Sequence, residues 1–210
     1  VACVMVPWLY YTYYGDESLI RQAYPMMKRY VDYLTGRADQ GILSYGLGDW
    51  YDYGPHPAGY SKNSPIALSA TAHYYLGITY VKRAADLLGY REEARQYARL
   101  AEQVKVAYNR AFFHPETTSY ATGSQFSNAV SLYLDLVEPS YRQGVLDQLV
   151  ADIRQHGYRL TTGDIGNRYL FQTLAQNGLN EVMYQMHNHT EVPGYGYQVQ
   201  LGMTTLTEQW

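Results

Sequence analysis

The segment Ser64-Pro-Ile-Ala-Leu-Ser-Ala-Thr-Ala-His-Tyr-Tyr-Leu-Gly-Ile-Thr-Tyr-Val81 decides how this chain folds. Ser64 is a helix cap, and Pro65 suits the first helical position, where an N–H would be unpaired anyway. From Ser64 to about Leu88 the residues predict one helix. It is rich in Ala and apolar through Val81, so it belongs in the interior. Gly89 ends it. A second helix follows at once, from Arg91 to about Phe113. Its stripe is Ala94, Tyr97, Ala98, Ala101, Val104 and Tyr108, the pattern of a helix with one face buried. An interior helix, a short turn and a one-sided helix make up the unit.

The unit recurs outward in both directions. Upstream, Ala2 to about Tyr14 is apolar on all sides and is expected to be buried all round, with Pro7 marking a kink or a late start. Gly15-Asp16 makes a turn, and Asp16 or Ser18 can cap the next helix. That helix runs from about Glu17 to Leu34, with Leu19, Ile20, Ala23, Met27, Tyr30, Val31 and Leu34 on one face and Pro25 weakening its first half. Downstream, Phe126 to Leu136 is largely apolar, and the turn Val137-Glu-Pro-Ser140 leads to a helix ending near His156. Val145, Leu146, Leu149 and Ile153 form its inward face. A helix from about Asn167 to Ala175, the turn Asn177-Gly178 and a helix from Asn180 to about His187 complete a fourth pair.

Long loops separate the pairs, at about 36–63, 114–124, 157–166 and from Asn188 onward. The first exceeds the roughly 12–15 residues beyond which a loop is uncommon unless functional. No strand signal persists, although Leu160 and the Val199 region can pair briefly. Each pair returns the chain to its starting end, so the long loops emerge on one side. The expectation is an all-α fold, an α/α toroid of about four helical hairpins, which is an incomplete (α/α)6 barrel. A plain α-solenoid is the rival, but its loops are more uniform and the pairs here share no repeat consensus.

Composition agrees with one sizeable core. The chain has 210 residues, 47% hydrophobic and 17% charged, which excludes a disordered chain. A net charge of -3 gives no basic footprint for nucleic acid. No apolar run approaches the roughly 18 residues of a membrane span. Cys3 stands alone, so no internal disulfide forms. Tyr outnumbers Phe by 25 to 4, and its flat body with a hydroxyl tip suits both sugar stacking and ordinary core positions. The opening Val1-Ala-Cys-Val-Met-Val is neither an initiator Met nor a signal peptide. The chain is expected to be a fragment of a longer protein, its 210 residues forming one partial domain.

The polar residues of the loops fall into four groups: Asp49, Trp50, Asp52 and His56; Thr122, Ser124 and Gln125; Arg159, Thr161, Thr162 and Asp164; and His189, Glu191 and Glu208. The last group includes the stretch from Gly194 to Trp210, where Glu208 sits among Thr204, Thr205 and Thr207 with an indole, Trp210. Two carboxyl groups facing each other across a sugar, with a Trp as floor, are the apparatus of a glycosidase. Spacing does not choose the pair, and Asp49 and Asp52 can equally cap or shape turns. His187 and His189 lack a further ligand at fixed spacing, so no metal and no cofactor are expected.

These segments resemble, in order, the catalytic domain of bacterial α-L-rhamnosidases, glycoside hydrolase family 78. The matching segments include Val6-Pro-Trp8, Tyr14-Gly-Asp16, Tyr24-Pro-Met-Met-Lys28, Val31-Asp-Tyr-Leu34, Gly48-Asp-Trp50, Phe113-His-Pro-Glu-Thr117 and Thr122-Gly-Ser-Gln125. Leu160-Thr-Thr-Gly163, Pro193-Gly-Tyr-Gly-Tyr197 and Gly202-Met-Thr-Thr-Leu-Thr-Glu-Gln-Trp210 complete the series. The resemblance implies an (α/α)6 barrel and an inverting mechanism. Glu208 matches the Glu that activates the attacking water, and Trp50 matches the Trp that packs on bound rhamnose. Asp49 and Trp210 are the neighbours expected to bind substrate with it. Thr207 departs from the family pattern, where many members carry Trp.

The family's general acid lies in an acidic motif upstream of anything here, and a further His lies downstream of Trp210. The chain is therefore expected to supply the base and part of the sugar pocket, with the hairpins on either side missing. The implied partners are rhamnose-containing glycans or glycosides, and the compartment favoured for the whole protein is periplasmic or extracellular. Two other readings stand beside this one: a non-catalytic carbohydrate-binding or interaction module on the same frame, and another toroidal exo-glycosidase. An open arc of four hairpins also leaves apolar flanks, so the isolated chain is expected to self-associate.

Overall fold

The computed structural model describes residues 1–191 and 194–207. The described residues are almost entirely helical, with one hairpin of two-residue strands. The all-α class therefore holds. None of the helices is long and apolar enough to cross a membrane among the described residues. The chain divides into two compact units, one of Val1–Ser44 with Ala70–Ala111, the other of Tyr45–Ser69 with the chain from Phe112 onward.

In the first unit, α1 (Ala2–Tyr14) packs on α2 (Ser18–Arg37). Gly15, in the left-handed region at φ 68°, turns the chain and donates its N–H to Tyr11. The Asp16 carboxylate accepts the Ser18 N–H at 2.8 Å, one of the two caps expected there. The inward face of α2 carries Ile20, Ala23, Met27, Val31 and Leu34, as its spacing predicts. Pro25 is tolerated because it sits on the exposed face, where water can take up the freed carbonyl.

Helix α3 (Ile66–Leu87) is buried on nearly every side from Leu68 to Ala85, as an interior helix should be. Helix α4 (Arg91–Phe112) is amphipathic, with Ala94, Tyr97, Val104, Ala107 and Tyr108 buried. Buried Tyr side chains keep their hydroxyls paired. Tyr97 donates to Asp32 at 3.0 Å, Tyr74 to Thr35 at 2.9 Å and Tyr24 to Glu93. The Tyr excess is thus only in part a core feature, because Tyr13, Tyr14, Tyr33 and Tyr184 are among those more than half exposed.

The expectation for α1 needs correcting. Only Val4 and Pro7 are buried, and Tyr13 and Tyr14 are 78% and 74% exposed. An all-round apolar helix can be buried only where neighbours cover every face, and here α2 covers one while Tyr80 and Arg83 of α3 meet it at Trp8.

In the second unit, β1 (Phe113–His114) pairs antiparallel with β2 (Ser119–Tyr120), a hairpin where a plain loop was expected. Thr118, at φ 52°, turns it. Helix α5 (Gln125–Tyr133) is buried from Gln125 to Leu132 and ends earlier than Leu136, because Asp135 enters the left-handed region at φ 54°. Helix α6 (Arg142–Gln155) buries Val145, Leu146, Leu149 and Ile153, the face its spacing predicts. Helix α7 (Asp164–Gln176) packs on α5, and α8 (Asn180–His187) packs on α7. The closing segment, expected as a loop, contains a short further helix, α9 (Tyr195–Gln200). The brief strand pairing expected for Leu160 and the Val199 region does not form.

Candidate active site

The loop from Gly46 to Asn63 is held by two buried carboxylates. Asp49 is fully buried. Its Oδ2 accepts the Gly163 N–H at 2.8 Å and its Oδ1 accepts the Gly166 N–H at 2.6 Å. These are N-terminal amides of α7, which have no partner inside the helix. A loop distant in sequence therefore caps α7 and starts it at Asp164, three residues before the expected Asn167. Burial pushes the Asp49 carboxyl up to about 7, against the downward pull of the two amides and with the negative charges of Asp52 and Asp164 adding to the rise.

Asp52 does the same work locally. Its Oδ2 accepts the Ser61 hydroxyl at 3.0 Å and the N–H groups of Lys62 and Asn63 at 2.7 and 2.6 Å. That folds the loop back on itself just before α3. Both carboxylates therefore shape backbone.

Trp50 lies between them on the same turn. Its carbonyl accepts the Asp164 N–H at 2.9 Å, so its backbone is seated on the start of α7. The approach is close enough to require glycine at 163. A Cβ there would lie 2.0 Å from the Trp50 carbonyl oxygen and 2.7 Å from the Asp52 nitrogen. The indole is partly exposed, with Tyr51 tilted against it at 5.0 Å and Tyr60 edge-on at 5.4 Å. That leaves a flat apolar surface in a fixed frame.

Two more loops join this one. Asn63 donates from Nδ2 to the carbonyls of Tyr53 and Thr161, each at 2.9 Å, and the Thr122 hydroxyl donates to the Asn63 carbonyl at 2.6 Å. Gln125, fully buried at the start of α5, donates to the Arg159 carbonyl and accepts the Thr161 N–H, both at 3.0 Å. Arg159 reaches Glu191 at 3.2 Å across an exposed pair. Three of the four loops expected to gather do so around Asn63 and Gln125, and the fourth is reached through Glu191. Gln125 was among the expected residues. Asn63 was not, and nothing in its local sequence distinguishes it from any residue before a helix cap.

The closing segment approaches α8. His187 stacks on Tyr195 at 4.2 Å, and glycine at 196 is required because a Cβ would lie 2.4 Å from the His189 carbonyl oxygen. Burial lowers the His187 pKa. No group of three metal-ligating side chains occurs among the described residues. Thr207 accepts a hydrogen bond from Gln198 of α9 at 2.6 Å, which ties the end of the described chain to that helix. Glu208 and Trp210 lie outside the described residues.

Comparisons with known proteins cover the whole chain. A family model described as the bacterial alpha-L-rhamnosidase 6 hairpin glycosidase domain matches residues 1–210. An α-L-rhamnosidase of Formosa agariphila is 31% identical over 221 residues, which take in 100% of this chain and 23% of that protein. One from Streptomyces avermitilis is 29% identical over 211 residues, with 100% of this chain and 19% of that protein covered. Among solved structures, an α-L-rhamnosidase from Dictyoglumus thermophilum has a TM-score of 0.92 at 34% identity, covering 99% of this chain and 24% of that one. The S. avermitilis α-L-rhamnosidase complexed with L-rhamnose has a TM-score of 0.89 at 28% identity, covering 100% and 19%. The chain thus spans about a fifth to a quarter of the length of the relatives it matches.

Proposed function

We propose, because this chain belongs to the bacterial alpha-L-rhamnosidase six-hairpin glycosidase family, that its parent protein hydrolyses terminal α-L-rhamnose from glycans or glycosides. The observation that carries this reading is the match over residues 1–210, which takes in every loop that meets around Asn63 and Gln125. The parent protein works by inversion. Glu208 takes a proton from a water that attacks the anomeric carbon, while an acid on the opposite face protonates the departing glycosidic oxygen. The bond from the anomeric carbon to that oxygen breaks as the bond to water forms.

Trp50 offers its flat face to the sugar, and Trp210 is a further substrate-binding residue. Asp49 serves the site as a positioning group, because its carboxylate seats the Trp50 turn on α7. Neither Asp49 nor Asp52 suits the role of general acid. Each is buried, with its oxygens turned to backbone N–H groups, so neither can reach a leaving group. As the family resemblance implies, we take the acid to come from a part of the parent protein upstream of this chain.

Hydrolysis of a panel of aryl glycosides by the parent protein, with proton NMR of the first sugar released, tests the reading. The expected result is activity on the α-L-rhamnoside with β-L-rhamnose as first product. Retention of the α configuration would overturn the inverting mechanism. Preference for a different glycoside would overturn the rhamnose assignment, and sugar binding without turnover of any would favour a non-catalytic module.

A further inference from the structure

A cleft of about 680 Å³ opens beside the Trp50 loop, and nothing so far assigns it a role. Its walls include Tyr53, Pro55, Thr122, Asp152, Gln155 and His156, all within the second unit. Trp50 and Tyr53 are three residues apart on one loop, a separation of at most about 11 Å even for extended chain. The cleft therefore begins within about two sugar lengths of Trp50.

The cleft holds an unpaired acceptor. The Oδ2 of Asp152 is buried and has no hydrogen-bond donor. His156 Nδ1 lies 3.3 Å from it, but its hydrogen bond runs to the Asp152 backbone carbonyl at 2.9 Å. Burial is the main cause of the raised Asp152 pKa. A buried acceptor without a donor costs free energy unless a partner arrives. The His156 side chain over it is 46% exposed, so a rotation of the imidazole gives a ligand hydroxyl access.

The other wall groups narrow the ligand class. Gln155 adds an exposed amide, and Tyr53 and Pro55 add apolar surface. Arg159, the nearby cation, already faces Glu191. A wall whose carboxylate is held by Gln125 yet keeps one acceptor open, beside a guanidinium paired with Glu191, disfavours phosphate and uronate. It suits a neutral ring with several hydroxyls and an apolar C–H face.

We infer that this cleft is a subsite for a neutral sugar unit, the residue to which the terminal rhamnose is attached, with Asp152 accepting one of its hydroxyls. The inference rests on the rhamnosidase reading, because that reading supplies the glycan.

The test uses the full-length parent protein with two substrates, an aryl α-L-rhamnoside and a rhamnosyl disaccharide with a neutral second sugar. Asp152→Asn should lower kcat/KM for the disaccharide about tenfold relative to the aryl rhamnoside, the loss expected from one charge-assisted hydrogen bond. The change should fall on KM. Gln155→Ala, at an exposed position where folding is not at stake, should shift the ratio in the same direction by less. Equal effects on both substrates, or none on either, would overturn the subsite. Should the wild type hydrolyse neither substrate, the rhamnosidase reading fails by itself. Calorimetric titration with the disaccharide then decides the cleft: binding that Asp152→Asn weakens supports it, and no binding by the wild type overturns it.

Discussion

Asp49 joins a loop to a helix 114 residues further along the chain. Two buried amides depend on it, and each amide left without an acceptor costs about 1–3 kcal/mol. Asp49→Ala should therefore lower the unfolding free energy by roughly 2–5 kcal/mol, read as a shift in the denaturant midpoint. The same residue gives a pH signature. Burial holds its native pKa at about 7, above the ordinary 3.8, so between those values the native state binds a proton that the unfolded chain releases. The Asp49 contribution is present below about pH 4 and is lost as pH rises through about 7. Melting temperature should fall more between those limits in the wild type than in Asp49→Asn, which does not titrate. His187 works the opposite way, because its native pKa is lowered, and it is common to both proteins. Equal slopes for the two proteins would refute the assignment. The sequence offered Asp49 both as a site residue and as one that caps or shapes a turn, but not which backbone it holds. Its partners Gly163 and Gly166 are close only after folding.

Elements were legible where their signals are local. The inward face of α6 and the span of α8 follow from residue spacing alone, and the structure returns both. Helix α7 begins earlier than its own sequence indicates because its cap comes from Asp49. The strands β1 and β2 are two residues each, too short for alternation to register, and are fixed from outside by Asn128. That side chain accepts the Tyr120 N–H at 2.9 Å and donates to the Gly123 carbonyl at 3.0 Å. Asn128→Ala strands a buried N–H and should cost about 1–3 kcal/mol by chemical denaturation. Ser124 is a more ordinary cap, its Oγ accepting the Ser127 N–H, and Ser124→Ala should cost about 1 kcal/mol. Helix α1 was misread because its Tyr residues count as apolar in a pattern yet tolerate water at their hydroxyl tips.

At the scale of the molecule, the alternation of buried and one-sided helices made the fold class legible without any contact being known. The candidate site was legible only in part, since composition and spacing brought out the polar loops while their motifs, through a family resemblance, supplied the roles. Exposed apolar side chains lie in both units, among them Val6, Tyr13 and Tyr14 in one and Val199 and Leu206 in the other. The 210-residue chain expressed alone should therefore self-associate at micromolar concentration, and a monodisperse monomer by light scattering would contradict that. The central claim is that Glu208 is the general base of a rhamnosidase. The most direct measurement is the turnover of an aryl α-L-rhamnoside by the full-length parent protein with Glu208→Gln, beside the wild type. The account predicts a fall in kcat of about 10²–10⁴, the usual worth of a positioned base, in a variant that remains folded. Turnover at the wild-type rate would contradict it.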